Sequence, residues 1–300
     1  MLQRFLEHAE KVVIGKRESF RLSLSCLLAG GHLLLEDEPG MGKTTFAKTL
    51  ARLLNLEFSR IQFTSDLLPA DIIGVSIFDR DKQSFVFQPG PIFSQLVLGD
   101  ELNRASPKTQ SAFLQAMEEQ AVTADGKTYA LQQPFFFIAT QNPRRSIGTF
   151  PLPESQLDRF MMKMELGYPS RDAEISILLN GDSARALANL EPIWDPGEIL
   201  ARQAEIRQMH VAPGIAHYIV DIAQESRRLP HGISPRASLA LLHSAQAYAW
   251  LDNRKYVIPE DVQAVAISVM SHRLVSGDEL RPEVGNDRAR ELLHQVPVRP

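Results

Sequence analysis

The chain carries a single cysteine, Cys26, in 300 residues, so no intramolecular disulfide can form. Cys26 lies in the apolar stretch 24–28, where a buried thiol in a reducing compartment is the expected reading. No apolar run approaches the ~18 residues that would span a bilayer. Residues 1–7 are amphipathic and include an acid, unlike a signal peptide. Neither charge dominates. Thirty-two basic residues stand against 36 acidic ones, for a net charge of −4. No block of Lys and Arg exceeds two residues, and the arginine pairs are Arg144-Arg145 and Arg227-Arg228. The general electrostatic case for nucleic-acid binding is therefore missing. These absences favour a cytoplasmic protein without membrane insertion. Internal repeats and low-complexity segments are absent as well.

What is present is an ordinary globular composition, 44% hydrophobic and 23% charged, enough for one or two domains with a sizeable core. Patterns in the first half alternate between helix and strand. Helical stretches at 2–11 and 16–29 precede a strand at 32–36, a helix at 43–54 and a strand at 58–63. A further apolar run, 96–98, ends in Gly99-Asp100-Glu101. Ser106-Pro107 has the form of a helix cap followed by a first-turn proline. A short buried strand at 135–139 and a last strand at 160–166 complete the series. This alternation predicts an open parallel sheet covered on both faces. From about residue 170 the patterns are helical: 171–180, 198–209, 214–228, 235–252 and 260–273. Residues 167–170 read as a linker. We therefore expect an α/β core over 1–167 and an all-helical domain over 168–300, with a polar, loosely packed tail beyond Gly277 holding one short helix. Segments 75–78 with 84–87, and 120–123 with 127–131, look like hairpins inserted into the α/β core. The second turns at Asp125-Gly126.

The segment with the clearest chemistry is Glu38-Pro39-Gly40-Met41-Gly42-Lys43-Thr44-Thr45. It follows the apolar run 33–35 and opens a helix. A strand, a glycine turn and Lys-Thr starting a helix form a phosphate cradle. Backbone N–H groups point at the anion and the helix N-terminus adds positive potential. Lys43 can reach the outer phosphates and the Thr44 hydroxyl can ligate Mg²⁺. The pattern G-x-x-x-x-G-K-[ST] asks for glycine at position 37, where this chain has Asp37. Asp100 and Glu101, at a strand end, suit a metal ligand and a residue that polarises the attacking water. Asn142 follows the buried strand and, at the carboxyl edge of a parallel sheet, can position water. Arg159 precedes the last strand. Arg236, second in a helix, is a cation in a first turn, where a bound phosphate would offset an unfavourable dipole.

Taken in order, these segments resemble AAA+ ATPases of the MoxR group over about residues 10–275. The resemblance rests on 31–37 before the phosphate loop, on 90–93 and 100–105, and on 139–143 and 152–160. Asp37 is at home in that group. The resemblance implies a P-loop core with a five-stranded parallel sheet between helices, followed by a helical lid. It implies ATP and Mg²⁺ as cofactors. Lys43 and Thr44 would be Walker A residues, Asp100 and Glu101 Walker B, and Asn142 the first sensor. Arg159 would be an arginine finger reaching a neighbour's nucleotide. Arg236 would be the second sensor, clamping the lid on ATP. Val13, Ile14 and Gly15 would sit near the adenine. The hairpins would be the helix-two and presensor inserts. A homo-oligomeric ring, hexameric, would then remodel or mature a protein complex, with a partner bearing a von Willebrand factor A domain. A motor subunit of a metal chelatase, a nucleic-acid motor and a nucleotide-gated scaffold are the alternatives. Arg144-Arg145 depart from the group's pattern.

Overall fold

A computed structural model of the chain describes residues 2–142, 148–181, 183–275 and 282–298. Arg144-Arg145 thus lie outside the described residues. The chain opens with α1 (Leu2–Glu10), α2 (Arg17–Leu28), β1 (Leu33–Glu36) and α3 (Lys43–Leu53). Next, β2 (Phe58–Gln62) leads through the short α4 (Pro69–Ile73) into a hairpin of β3 (Gly74–Asp79) and β4 (Ser84–Pro89). After β5 (Leu96–Asp100) and α5 (Pro107–Glu119) comes a second hairpin, β6 (Ala121–Ala124) and β7 (Lys127–Ala130). Then follow β8 (Phe136–Gln141), α6 (Glu154–Leu157) and β9 (Met162–Met164). From there the described chain is helical: α7 (Arg171–Asn180), α8 (Ser183–Ala188), α9 (Pro196–Arg207), α10 (Pro213–Ser226), α11 (Pro235–Leu251), α12 (Pro259–Met270) and α13 (Pro282–Gln295).

Five strands form one parallel sheet in the order β2-β5-β8-β1-β9. Side chains alternate across it as the strand pleat requires. Leu33, Leu35, Leu96, Leu98, Phe136 and Ile138 face one core, shared with α1, α2, α3 and the helical half. Leu34, Val97, Phe137 and Ala139 face the other, against Phe113 and Met117 of α5. Burial on both faces explains why these strands read as continuous apolar runs. The helical half is seated on the first helices through a shared aromatic cluster. Phe20 stacks on Phe46 at 4.3 Å, and Phe5 meets Trp194 at 6.2 Å. Among the described residues no helix is long and apolar enough to cross a membrane.

The helix starts follow the sequence closely. The Ser106, Ser170 and Ser234 hydroxyls and the Asp195 carboxylate accept from the backbone N–H three residues on. Each such cap contributes about 1 kcal/mol. Both expected hairpins form, and Asp125-Gly126 takes positive φ at both positions, as a tight hairpin turn requires. Phe87 of one hairpin stacks on Tyr129 of the other at 4.1 Å, so the two inserts support each other.

Three expectations change. The last strand spans Met162–Met164 rather than 160–166: Phe160 is tied into the turn after α6 by its N–H to the Leu157 carbonyl, and beyond Met164 the chain hooks toward Asp37. The tail is not loose, since α13 runs for 14 residues and buries Ala289 and Leu292 in the main core, joined by Val296 just beyond its end. The short helices α4, α6 and α8 were not expected; each is too brief to show a period.

Candidate functional site

The phosphate loop leaves the carboxyl end of β1 and ends at α3, as its sequence predicts. Gly40 and Gly42 take φ of +88° and +82°, a left-handed conformation that side chains disfavour, which accounts for glycine at both positions. Lys43 begins α3, and its first hydrogen-bonded turn closes from the Phe46 N–H to the Gly42 carbonyl. The earlier N–H groups of the helix therefore face the loop. The Lys43 ammonium donates to the carbonyls of Asp37 at 2.6 Å and Glu38 at 3.2 Å. Burial lowers its pKa from the ordinary lysine value, against the pull of Asp37, Asp100, Glu101 and Glu38. The burial that causes this depression leaves the ammonium poorly solvated and suited to a stronger anionic partner.

Asp37, the departure from the glycine pattern, is buried and has a defined task. Its carboxylate accepts the backbone N–H groups of Leu166 and Gly167. Lys16 grips the same segment from the other side, donating to the carbonyls of Leu166, Gly167 and Tyr168. The joint between sheet and helical half is thus clasped at the entrance to the phosphate loop. Val13, Ile14 and Gly15 lie directly before Lys16, and an added Cβ on Gly15 would come within 3.3 Å of Ala173 at the start of α7. Val13 and Ile14 are half-buried, offering an apolar ledge beside this joint.

On the carboxyl edge, Asp100 ends β5 and Glu101 follows with φ of +58°. A non-glycine residue in that region costs about 1–3 kcal/mol and persists only where its surroundings fix it. Thr140 of β8 supplies the restraint. Its hydroxyl accepts the Glu101 N–H at 2.9 Å and donates to Asp100 Oδ1 at 2.6 Å. Asn142 donates from Nδ2 to Glu101 Oε1 at 3.3 Å. The structure thus brings together Asp100, Glu101 and Asn142, as expected. It also adds residues the sequence reading missed. Arg60 reaches Asp100 Oδ2 at 2.5 Å, Arg104 reaches Glu101 Oε2 at 2.8 Å, and Gln62 donates to the same oxygen at 3.3 Å. Thr140 was discoverable, because it shares a strand face with Asn142 two residues on. Gln62 and Arg60 depend on β2 pairing with β5, with Gln62 opposite Asp100. No local pattern announces that pairing.

Arg159 and Arg236 lie elsewhere. α5 starts beyond the carboxyl edge of the sheet and, at 13 residues, runs back about 20 Å. Its last turn sits by the amino edge. There Arg159 Nη1 donates to the Leu114 carbonyl at 2.9 Å and pairs with Glu118 Oε2 at 3.0 Å. Arg236 Nη2 meets Glu118 Oε1 at 2.5 Å. Gly31 and His32, just before β1, line the same cleft of about 310 Å³. The structure thus sets Arg236 beside Arg159 on the shared Glu118 carboxylate, at the amino edge of the sheet. Arg273, just beyond α12, ties the helical half to the same edge through Asp158 and the carbonyls of Phe160 and Met161.

Residues 32–162 match the model for the ATPase family associated with various cellular activities (AAA), and 223–294 match that of the AAA lid domain. The chain is 46% identical to the uncharacterized protein YeaC of Bacillus subtilis, over 99% of this chain and 95% of that one. It is 37% identical to chaperone MoxR1 of Mycobacterium tuberculosis, over 94% and 79% of the two chains. A crystal structure from Cytophaga hutchinsonii, of a protein assigned only provisionally as an ATPase, superposes with a TM-score of 0.90 at 35% identity, covering 99% and 94%.

Proposed function

The chain belongs to the MoxR family of AAA+ ATPases, and on that premise we propose that it is a Mg²⁺-dependent ATP hydrolase that turns over only as a ring of identical subunits. Phosphoryl transfer to water requires positioning and charge neutralisation more than covalent chemistry. Residues 38–45 would wrap the triphosphate, with Lys43 moving from the carbonyls of Asp37 and Glu38 to the outer phosphates. Val13, Ile14 and Gly15 would bear on the adenine. Magnesium carried with the nucleotide needs only one or two protein ligands, and bound here would neutralise charge between the outer phosphates. Thr44 and Asp100 supply hard oxygen donors suited to it. Glu101 would polarise the attacking water, with Asn142 fixing its carboxylate and the water together.

One observation supports the ring reading: Arg159 and Arg236 meet on Glu118 in the last turn of α5, at the amino edge of the sheet, whereas the phosphate loop leaves the carboxyl end of β1. In that position they suit a neighbour's nucleotide. Trans arginines in other NTPases contribute about 10³–10⁵ in rate. Six copies is the ring size that the family resemblance implies. The test is phosphate release per chain against protein concentration. It should rise with concentration and vanish on chelation of Mg²⁺; a flat profile at full rate would refute the ring requirement.

For the output we propose chaperone-like remodelling of a protein complex, with a partner bearing a von Willebrand factor A domain. The name of the Mycobacterium relative, chaperone MoxR1, supports the first part. So does the β3–β4 hairpin, which exposes Val75, Ile77, Phe78 and Phe85 to contact with another protein. We take residues 1–167 as the ATPase core and 168–300 as the lid. The clasp of Asp37 and Lys16 at 166–168 would couple nucleotide to lid movement.

A further inference from the structure

We propose that Glu118 is the resting counter-anion of the two arginines that serve a neighbouring subunit, holding Arg159 and Arg236 on this chain and yielding them to the neighbour's triphosphate. This rests on the trans-arginine reading above and adds to it a positioning residue. One carboxylate engages both cations, Oε2 with Arg159 at 3.0 Å and Oε1 with Arg236 at 2.5 Å. The two guanidinium groups come from different halves of the chain. Arg159 follows α6, and Arg236 sits in the first turn of α11, where the helix dipole opposes a cation. Without an anion between them, these charges would repel each other across the cleft.

A second ion pair in the same cleft shows which contact is built to exchange. Arg273 pairs with Asp158 at 2.6 Å and is only 5% exposed; it also donates to the carbonyls of Phe160 and Met161. That pair is a fixed tie between lid and core. Glu118, Arg159 and Arg236 are 40%, 28% and 52% exposed. Solvent-exposed ion pairs are weak and readily replaced. Two cations on one carboxylate also leave an unneutralised positive charge facing the cleft, which attracts a further anion. A triphosphate bears several charges and more acceptor oxygens than one carboxylate, so it displaces Glu118 when a neighbour presents it. Glu118 then sets how readily the arginines are released, and hence the chain concentration at which activity appears.

The test measures ATP turnover per chain across protein concentrations for the wild type, Glu118→Gln, Glu118→Asp and Arg159→Ala. Glu118→Gln removes the competing charge and should lower the half-maximal concentration about two- to fivefold, the range exposed ion pairs command. Glu118→Asp keeps the charge and should return the midpoint toward the wild type, a rescue that a merely structural role would not give. An unchanged or raised midpoint in a folded Glu118→Gln chain overturns the proposal. If that variant melts lower than the wild type, Glu118→Ala takes its place on the same criterion, and failure of both to fold makes Glu118 structural and also overturns it. Full activity of Arg159→Ala would instead remove the trans-arginine reading underneath. An inactive Arg159→Ala beside an unshifted Glu118→Gln would remove the Glu118 role alone.

Discussion

The Asp37 carboxylate accepts the backbone N–H of Gly167 at 3.0 Å, so the residue leading into the phosphate loop holds the joint between the sheet and the helical lid. Lys16 closes the clasp from the other side by donating to three consecutive carbonyls, 166–168. A glycine at position 37 would satisfy the general phosphate-loop pattern and lose this link. The residue that departs from the pattern is the one that ties the loop to the lid.

Asp37→Ala should therefore do more than weaken the loop. It leaves the Leu166 and Gly167 N–H groups without their acceptor, and a buried donor left unsatisfied costs about 1–3 kcal/mol. We expect a loss of about 2–3 kcal/mol in denaturant unfolding, together with weaker nucleotide binding. Unchanged stability would show that the joint is held by other contacts.

Glu101→Gln keeps the size of the side chain and the hydrogen bonds of its backbone, but it cannot polarise water. Removing a general base costs about 10²–10⁴ in rate. A fluorescent-nucleotide titration should give near wild-type affinity while phosphate release falls by that factor. Normal turnover would take Glu101 out of its role.

Gly99 sits in β5 immediately before the acidic pair. A Cβ there would come within 2.4 Å of the Phe137 ring and 2.8 Å of the Phe63 ring. Both rings are fully buried, so neither can swing into solvent. Overpacking of this kind costs about 1–3 kcal/mol. Gly99→Ala should lower the melting temperature and displace Asp100 and Glu101. A wild-type melting curve would mean the sheet has room at this position.

Two buried histidines give the fold a pH dependence of known sign. The Phe137 N–H donates to His32 Nδ1 at 3.1 Å, so that nitrogen carries no proton. Burial pushes the His32 pKa down to about 4, with the Met117 carbonyl opposing, and burial followed by the charges of Arg273 and Lys163 lowers His272 as well. Unfolded histidine titrates near 6.5. The stability is present above that value. As pH falls from about 6.5 toward 4 the unfolded chain gains protons that the folded chain refuses, so stability drops. The His32 share should be about 2–4 kcal/mol across this window, at roughly 1.4 kcal/mol per pH unit. Unfolding free energies measured at pH 7, 5.5 and 4.5 check it, and His32→Gln should flatten the slope. A stability that stays level through the window would contradict the neutral, buried state.

Much of the sheet was legible because β1, β5 and β8 are apolar runs that stop at a polar or glycine residue, as at 33–35 and 96–98. Helix starts were legible because Ser106 and Ser234 cap and Pro107 and Pro235 follow. The site was legible where its chemistry is local: the loop 38–45, the pair Asp100-Glu101, and Asn142. What escaped is tertiary. Glu118 meets Arg159 and Arg236 only once α5 has run back along the sheet and α11 has docked on it. Arg60 finds Asp100 only because β2 pairs with β5. A short helix in the tail was expected, but its length and packing escaped for a different reason. Ala289, Leu292 and Val296 carry a helical spacing, but charged neighbours dilute it, and the core that receives them belongs to distant segments.

The most direct test of shared sites mixes two disabled chains. Arg159→Ala keeps its own loop and Glu101 but offers no finger. Glu101→Gln cannot hydrolyse but offers an intact Arg159 to its neighbour. We predict that each chain alone releases little phosphate and that combining them restores turnover well above the sum of the two. A mixture no more active than its separate components, or an Arg159→Ala chain that hydrolyses ATP at the wild-type rate by itself, would contradict the account.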